Sequence, residues 1–287
     1  MRKRIIIITG QTATGKTKLA LDYAQKYNGE LINCDSRQIY KYLDIITGKD
    51  KALLKKDKIW LYDVVNPDEY FSSFDYVKLA VPLIKKILAE NKTPIIVGGT
   101  YLYLKHLLYG IETENIPPDW KLRKKLAGKP VKELQKILAG YSTQLLNQLS
   151  QSELNNPQRL IRKIEIARLN ESDRFRTEPV RFNHLIREFI GLKFKEKETL
   201  RKTIEKRVLE RLKIGAVEEV KKLLKLRYRE TDPGLKTIGY RQLISYLKGE
   251  LNLDTAIQQW ITKEIQYAKR QYTFMKKDKN IKWVNVF

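Results

Sequence analysis

The chain has 287 residues, enough for one large domain or two modest ones around a buried core. Its 42% hydrophobic and 31% charged residues fit a soluble globular protein, and the absence of any long apolar run and the single cysteine, Cys34, exclude a membrane span, a disulfide framework and a cysteine-rich zinc site. The net charge of +24 predicts a polyanionic partner such as nucleic acid, although a lysine-rich, AT-biased coding sequence yields the same excess; a cytoplasmic location is the default expectation.

Ile5–Thr9 is a continuous apolar run and predicts a buried strand. Gly10-Gln11-Thr12-Ala13-Thr14-Gly15-Lys16-Thr17 follows directly and matches G-x-x-x-x-G-K-[ST] in full. Lys16–Tyr27 then has helical spacing through Leu19, Ala20, Tyr23 and Ala24. A strand, this octapeptide and a helix are the context a phosphate-binding loop requires: backbone N–H groups turn inward on phosphate oxygens, Lys16 adds a positive charge, and the Thr17 hydroxyl is a ligand for Mg²⁺. The motif does not name a reaction. Most such loops serve transfer of a γ-phosphate and are accompanied by an acid after a second buried strand.

Glu30–Cys34 reads as a short strand, ending at Asp35, which is either a metal-ordering acid or a base. Ser72 and Ser73 open a helix to Glu90, with a kink expected near Pro82. Pro94–Val97 is a further buried strand, but it ends in Gly98-Gly99-Thr100, with no acid, and a helix starts near Tyr101. Such apolar strands between helices predict an α/β fold, a P-loop NTPase-like parallel sheet flanked by helices. From Glu112 to Pro179 no strand is expected, and Pro157–Leu169 is a basic helix. Phe182–Leu192 reads as a strand, followed by long basic helices and a last strand over Lys282–Phe287. The expected organisation is an α/β core from 1–111 and 181–287, with an all-helical insertion at 112–180; three sequential pieces are the alternative.

Around Asp35 the motifs resemble a family. Asp35-Ser36-Arg37-Gln38-Ile39-Tyr40 is similar to the DSxQxY segment of the tRNA dimethylallyltransferases, also called tRNA isopentenyltransferases. Asp44-Ile45-Ile46-Thr47-Gly48-Lys49 resembles their D-I-G-T-A-K stretch, and Gly98-Gly99-Thr100-Tyr101-Leu102-Tyr103 their G-G-T-x-L-Y. Asn156-Pro157-Gln158-Arg159-Leu160-Ile161-Arg162, Gly239-Tyr240-Arg241-Gln242 and Ala268-Lys269-Arg270-Gln271-Tyr272-Thr273 resemble three more family segments in order. Lys58-Ile59-Trp60-Leu61 departs from the Pro-His-His-Leu usual there.

The resemblance implies transfer of a dimethylallyl group from dimethylallyl pyrophosphate to N6 of adenine 37 in the tRNA anticodon loop, with Mg²⁺ and without an obligate protein partner. It implies that Asp35 is the general base, that Thr100 lies near the reacting centre and that Arg207 clamps the pyrophosphate held by Gly10–Thr17. Asp35, Ser36, Arg37, Gln38 and Thr100 would meet the flipped-out adenine and its neighbours, the Gln38 amide being suited to an adenine edge. Arg123, Gln158, Arg159, Leu160, Ile161 and Arg162 would meet the tRNA from the insertion. The competing readings are helix N-capping for Asp35, a solvated basic face for the arginines, a P-loop kinase of a nucleotide or small metabolite, and a non-catalytic RNA-binding protein. His106 and His184 have no metal-ligand spacing and read as structural.

Overall fold

The computed structural model describes residues 4–49, 58–110, 116–169 and 182–286. The expected domain boundaries at 111/112 and 180/181 and the expected strand end at Phe287 lie outside them. In chain order the elements are β1 (Ile5–Gly10), α1 (Lys16–Tyr27), β2 (Gly29–Asn33), β3 (Ile59–Trp60), α2 (Ser73–Ala89), β4 (Thr93–Val97) and α3 (Tyr101–Tyr109). A run of helices follows: α4 (Trp120–Leu126), α5 (Val131–Tyr141), α6 (Thr143–Asn147), α7 (Gln151–Leu154) and α8 (Pro157–Ala167). The chain then returns through β5 (Ile186–Phe194), α9 (Lys197–Lys213), α10 (Ala216–Lys225), α11 (Tyr240–Leu247), α12 (Leu253–Met275) and β6 (Lys282–Val286).

Among the described residues six strands form one parallel sheet in the order β3-β2-β4-β1-β5-β6. β1 is buried at every position, which is why it reads as unbroken isoleucine rather than an alternating pattern. Two differences from the sequence reading have local causes. β5 starts at Ile186 because a 3₁₀ turn over Asn183–Leu185, closed by Leu185 N donating to Phe182 O at 2.8 Å, precedes it. β3 is a two-residue edge strand, too short to carry a periodic signal. α2 opens on a capping box, Ser72 N donating to the Asp75 carboxylate at 2.8 Å, and continues through Pro82 to Ala89. No helix among the described residues is long and apolar enough to cross a membrane.

The chain divides into two compact units, Met1–Leu108 with Arg181–Phe287, and Tyr109–Val180. The second packs Leu126, Leu134, Leu138, Leu160 and Ile164 into a core of its own. In the first, β1 lies between β4 and β5, so the strand order reverses beside it. A ligand site in such a sheet lies at the carboxyl ends of the strands, at that reversal. There β1 leads into Gln11, β2 into Cys34 and β4 into Gly98.

The ends of β2 and β4 approach closely. Cys34 N donates to Val97 O at 2.7 Å, and Thr100 N to Cys34 O at 3.1 Å. A Cβ on Gly98 would stand 2.2 Å from the Cys34 carbonyl carbon and oxygen, backbone atoms that cannot step aside. Gly98→Ala is therefore expected to cost about 3 kcal/mol and to lower the thermal midpoint by roughly 6–12 °C. Thermal unfolding followed by circular dichroism checks this; an unchanged midpoint would refute the close approach.

Candidate active site

The loop between β1 and α1 wraps a cavity of about 450 Å³ that Thr12, Ala13, Thr14, Gly15, Lys16, Thr17 and Lys18 line on one side. Left-handed backbone at Ala13 and Gly15 makes the wrap. The loop is fixed mainly through Gln11, which is buried. Its carbonyl accepts from Thr14 Oγ1 at 2.8 Å and Lys16 Nζ at 2.6 Å; its side chain accepts from Phe194 N at 2.9 Å and donates to Ala268 O at 3.2 Å. Gln271, on α12 and also buried, accepts from Thr12 N at 2.8 Å and donates to Gly99 O at 3.1 Å. Gln271 lies in a family-like segment, but nothing in the residue order distinguishes it from the neighbouring Lys269 and Arg270, both of which are exposed.

Opposite the loop, residues 35–39 form a turn rather than a helix, so Asp35 is not the N-cap of a helix. Asp35 Oδ1 accepts from Arg37 N at 2.9 Å, closing an Asx turn, and Asn33 steadies the backbone by accepting from Asp35 N at 2.9 Å. Among the described residues the other carboxylate oxygen of Asp35 has no hydrogen-bond partner, and Asp35 lines the cavity. Thr100 Oγ1 accepts from Ser36 N at 2.9 Å and donates to Ser36 Oγ at 3.2 Å, so the turn after β4 holds the turn after β2. Tyr267 stands beside Thr100, Asp35 and Arg37, and burial pushes its phenol above the usual tyrosine range. Burial likewise pushes the Cys34 thiol up, which keeps it protonated and unreactive.

Gln38 faces the cavity with its orientation already set. Its amide nitrogen donates to Thr47 O at 3.2 Å and Gly48 O at 2.9 Å, leaving Oε1 as an acceptor. The donor–acceptor pairing with an adenine edge expected from the sequence is thus reduced to its accepting half. The 44–48 loop that presents those carbonyls is held by Glu219, which accepts from Asp44 N at 2.9 Å, Ile45 N at 2.6 Å and Ile46 N at 3.2 Å. Lys49 braces it further, its Nζ bonding Tyr40 O, Asp44 and Asp63 at 2.6, 2.9 and 2.6 Å. Arg37 is exposed, its Nη1 3.4 Å from Pro233 O. Arg207 reaches the loop from α9, Nη1 donating to Thr12 Oγ1 at 2.9 Å, and lines the cavity with Thr203, Lys206 and Glu210.

In the helical unit the six residues singled out from the sequence separate into three groups. Gln158 and Arg159 are exposed. Arg123 and Arg162 share one buried carboxylate, Glu165, at 2.5 Å from Arg123 Nε and 2.9 Å from Arg162 Nη1. Leu160 and Ile161 require correction: both are buried in that unit's core, so their side chains pack rather than present a surface to tRNA.

The oxygen-donor chemistry of the cavity fits Mg²⁺. Among the described residues no cluster of three or more His, Cys, Asp or Glu forms a protein cage for a metal. Mg²⁺ is commonly held by one or two protein oxygens together with substrate phosphates and waters, and the Thr17 hydroxyl and Asp35 carboxylate on the same cavity are of that type.

A family model described as IPP transferase matches residues 38–278. A tRNA dimethylallyltransferase of Acetivibrio thermocellus is 37% identical over 289 residues, covering 98% of this chain and 91% of the relative. One from Aquifex aeolicus is 37% identical over 279 residues, covering 96% and 90%. Among solved structures, the full-length tRNA isopentenylpyrophosphate transferase of Bacillus halodurans superposes with a TM-score of 0.72 at 30% identity, covering 99% of this chain and 90% of that one. A eukaryotic dimethylallyltransferase acting on tRNA superposes with a TM-score of 0.80 at 25% identity, covering 99% and 74%.

The orientation of Gln38 generates a prediction. Gln38→Glu sets a carboxylate against two carbonyl oxygens and is expected to cost about 1–3 kcal/mol at pH 7. The carboxyl pKa rises in the folded state, so the deficit shrinks as pH falls and the protonated acid donates one bond again. Urea unfolding of variant and wild type at pH 7 and pH 4.5 tests this; an equal deficit at both would show that Gln38 does not donate to Thr47 and Gly48.

Proposed function

The chain belongs to the IPP transferase family, whose relatives prenylate tRNA, and on that premise we propose that it transfers the dimethylallyl group of dimethylallyl pyrophosphate to N6 of adenine 37 in the tRNA anticodon loop, releasing pyrophosphate. The observation that carries the reading is one cavity with a phosphate loop on one wall and Asp35 on the other. A phosphoryl-transfer enzyme would share the first wall, but the turn after β4 offers Thr100 instead of an acid.

In this reading the P-loop binds a leaving group. As the C1–O bond of the donor breaks, negative charge grows on the pyrophosphate, and Lys16, Arg207 and the loop backbone stabilise it. The Thr17 hydroxyl would help to hold Mg²⁺ here, and the ion would supply further charge neutralisation. The exocyclic amine of adenine is a weak nucleophile, because its lone pair is delocalised into the ring. Asp35 accepts the N6 proton through the carboxylate oxygen that the Asx turn leaves open, while the C1–N6 bond forms. Thr100 and Ser36 hold that carboxylate's turn in place, and Gln38 Oε1 accepts from a base N–H. Arg37, Gln158 and Arg159 bind the tRNA directly, while Arg123 and Arg162 do so with part of their charge already neutralised by Glu165. The net charge of +24 favours tRNA over a mononucleotide as acceptor.

Two outcomes test this. Incubation with Mg²⁺, radiolabelled dimethylallyl pyrophosphate and unmodified tRNA is expected to label the tRNA as N6-prenyladenosine. Asp35→Asn, which keeps the Asx turn, is expected to lower kcat by at least about 100-fold while tRNA affinity changes less than about threefold. Label in AMP or ATP instead would move the acceptor to a free nucleotide, and ATP turnover without prenyl transfer would favour the kinase. Chelation by EDTA is expected to abolish labelling, with recovery on adding Mg²⁺; full activity in EDTA would remove the metal from the reaction.

A further inference from the structure

A second arginine stands behind the one that meets the phosphate loop. Arg211 lies one turn beyond Arg207 on α9 and is buried, as is Glu264 on α12. Arg211 Nη1 donates to Glu264 Oε1 at 3.3 Å, and Trp260 Nε1 approaches the same oxygen at 3.4 Å. The remaining tips of the two arginines converge on Gly48. A Cβ there would stand 2.3 Å from Arg207 Nη2 and 2.5 Å from Arg211 Nη2, so the missing side chain leaves room for two guanidinium groups together.

Like charges brought together under partial burial repel strongly, because little water screens them. Glu264 offsets one positive charge for two arginines, and Arg211 is the one it binds. Arg207 is left with a repelling neighbour on the Gly48 side and Thr12, at 2.9 Å, on the cavity side. Burial and the proximity of Arg207 lower the Arg211 pKa to about 10, still well above neutral pH, so Arg211 keeps its charge under ordinary conditions. A buried ion pair is commonly replaceable by apolar side chains without loss of stability, so a purely architectural role does not account for this one.

We propose that Arg211, anchored by Glu264, is a positioning residue for Arg207, backing its guanidinium in the space over Gly48 so that it stays against the phosphate loop, while adding positive potential behind the anion site. The inference rests on the reading that this cavity takes a pyrophosphate. It explains why the pair is buried behind the cavity wall rather than lining the cavity, whose lining includes Arg207 but not Arg211.

The test compares wild type, Arg211→Lys and the double variant R211M/E264Q, which removes the pair without leaving a lone buried charge. Binding of inorganic pyrophosphate is measured by calorimetry, together with KM for dimethylallyl pyrophosphate and for tRNA, kcat, and the thermal midpoint. The double variant is expected to bind pyrophosphate about tenfold more weakly and to raise KM for dimethylallyl pyrophosphate alike, with KM for tRNA and the midpoint little changed. Arg211→Lys, which keeps the charge, is expected to stay within about threefold of wild type. Wild-type pyrophosphate affinity in the double variant would overturn the positioning role, whatever its midpoint. So would a loss that lysine fails to rescue, or one shared equally by tRNA. Failure of the wild type itself to bind pyrophosphate would instead overturn the reading of the cavity, and this inference with it.

Discussion

The site depends on one buried amide. Gln271 accepts from Thr12 N and donates to Gly99 O, so a single side chain from α12 joins the phosphate loop to the turn after β4. That turn in turn supplies Thr100, which holds Ser36 and with it the Asp35 turn. Removal of the amide would leave the part-buried Thr12 N–H and the buried Gly99 carbonyl without this partner, the second being a costly loss away from water. The two walls of the cavity are therefore positioned by one connected set of bonds rather than by three independent loops.

Carboxylates set behind the surface repeat this logic around the cavity and in the helical unit, Glu264 and Glu165 buried and Glu219 half-buried. Glu219 collects three successive backbone N–H groups, Asp44 to Ile46, of the loop whose next two carbonyls orient Gln38. Glu264 binds Arg211 beside Arg207, and Glu165 binds Arg123 and Arg162. In a chain with 24 more positive than negative charges, acids placed behind cations determine which of those cations remain available to phosphate.

Much of this was legible from residue order. The P-loop lies between a buried strand and a helix, and the family motifs around Asp35 and Thr100 are contiguous segments. The resemblance they implied is borne out by the family model and the relatives, and the parallel sheet by the fold. Leu160 and Ile161 belong to a packed face rather than an exposed one, as the apolar spacing of Leu160, Ile161 and Ile164 on α8 marks. β3 escaped notice because two residues carry no period.

What the sequence determined by itself is the chemistry on offer: a phosphate loop, an acid directly after a predicted strand, an excess of cations, and strands apolar enough to require cover on both faces. Only the tertiary structure decided which groups meet. Gln271 finds Thr12 across 259 residues and Glu219 finds Asp44 across 175, and nothing local to either end specifies the pairing. The physical reason is that local patterns encode burial and backbone conformation, whereas the partner of a buried polar group is set by where packing brings two distant elements together.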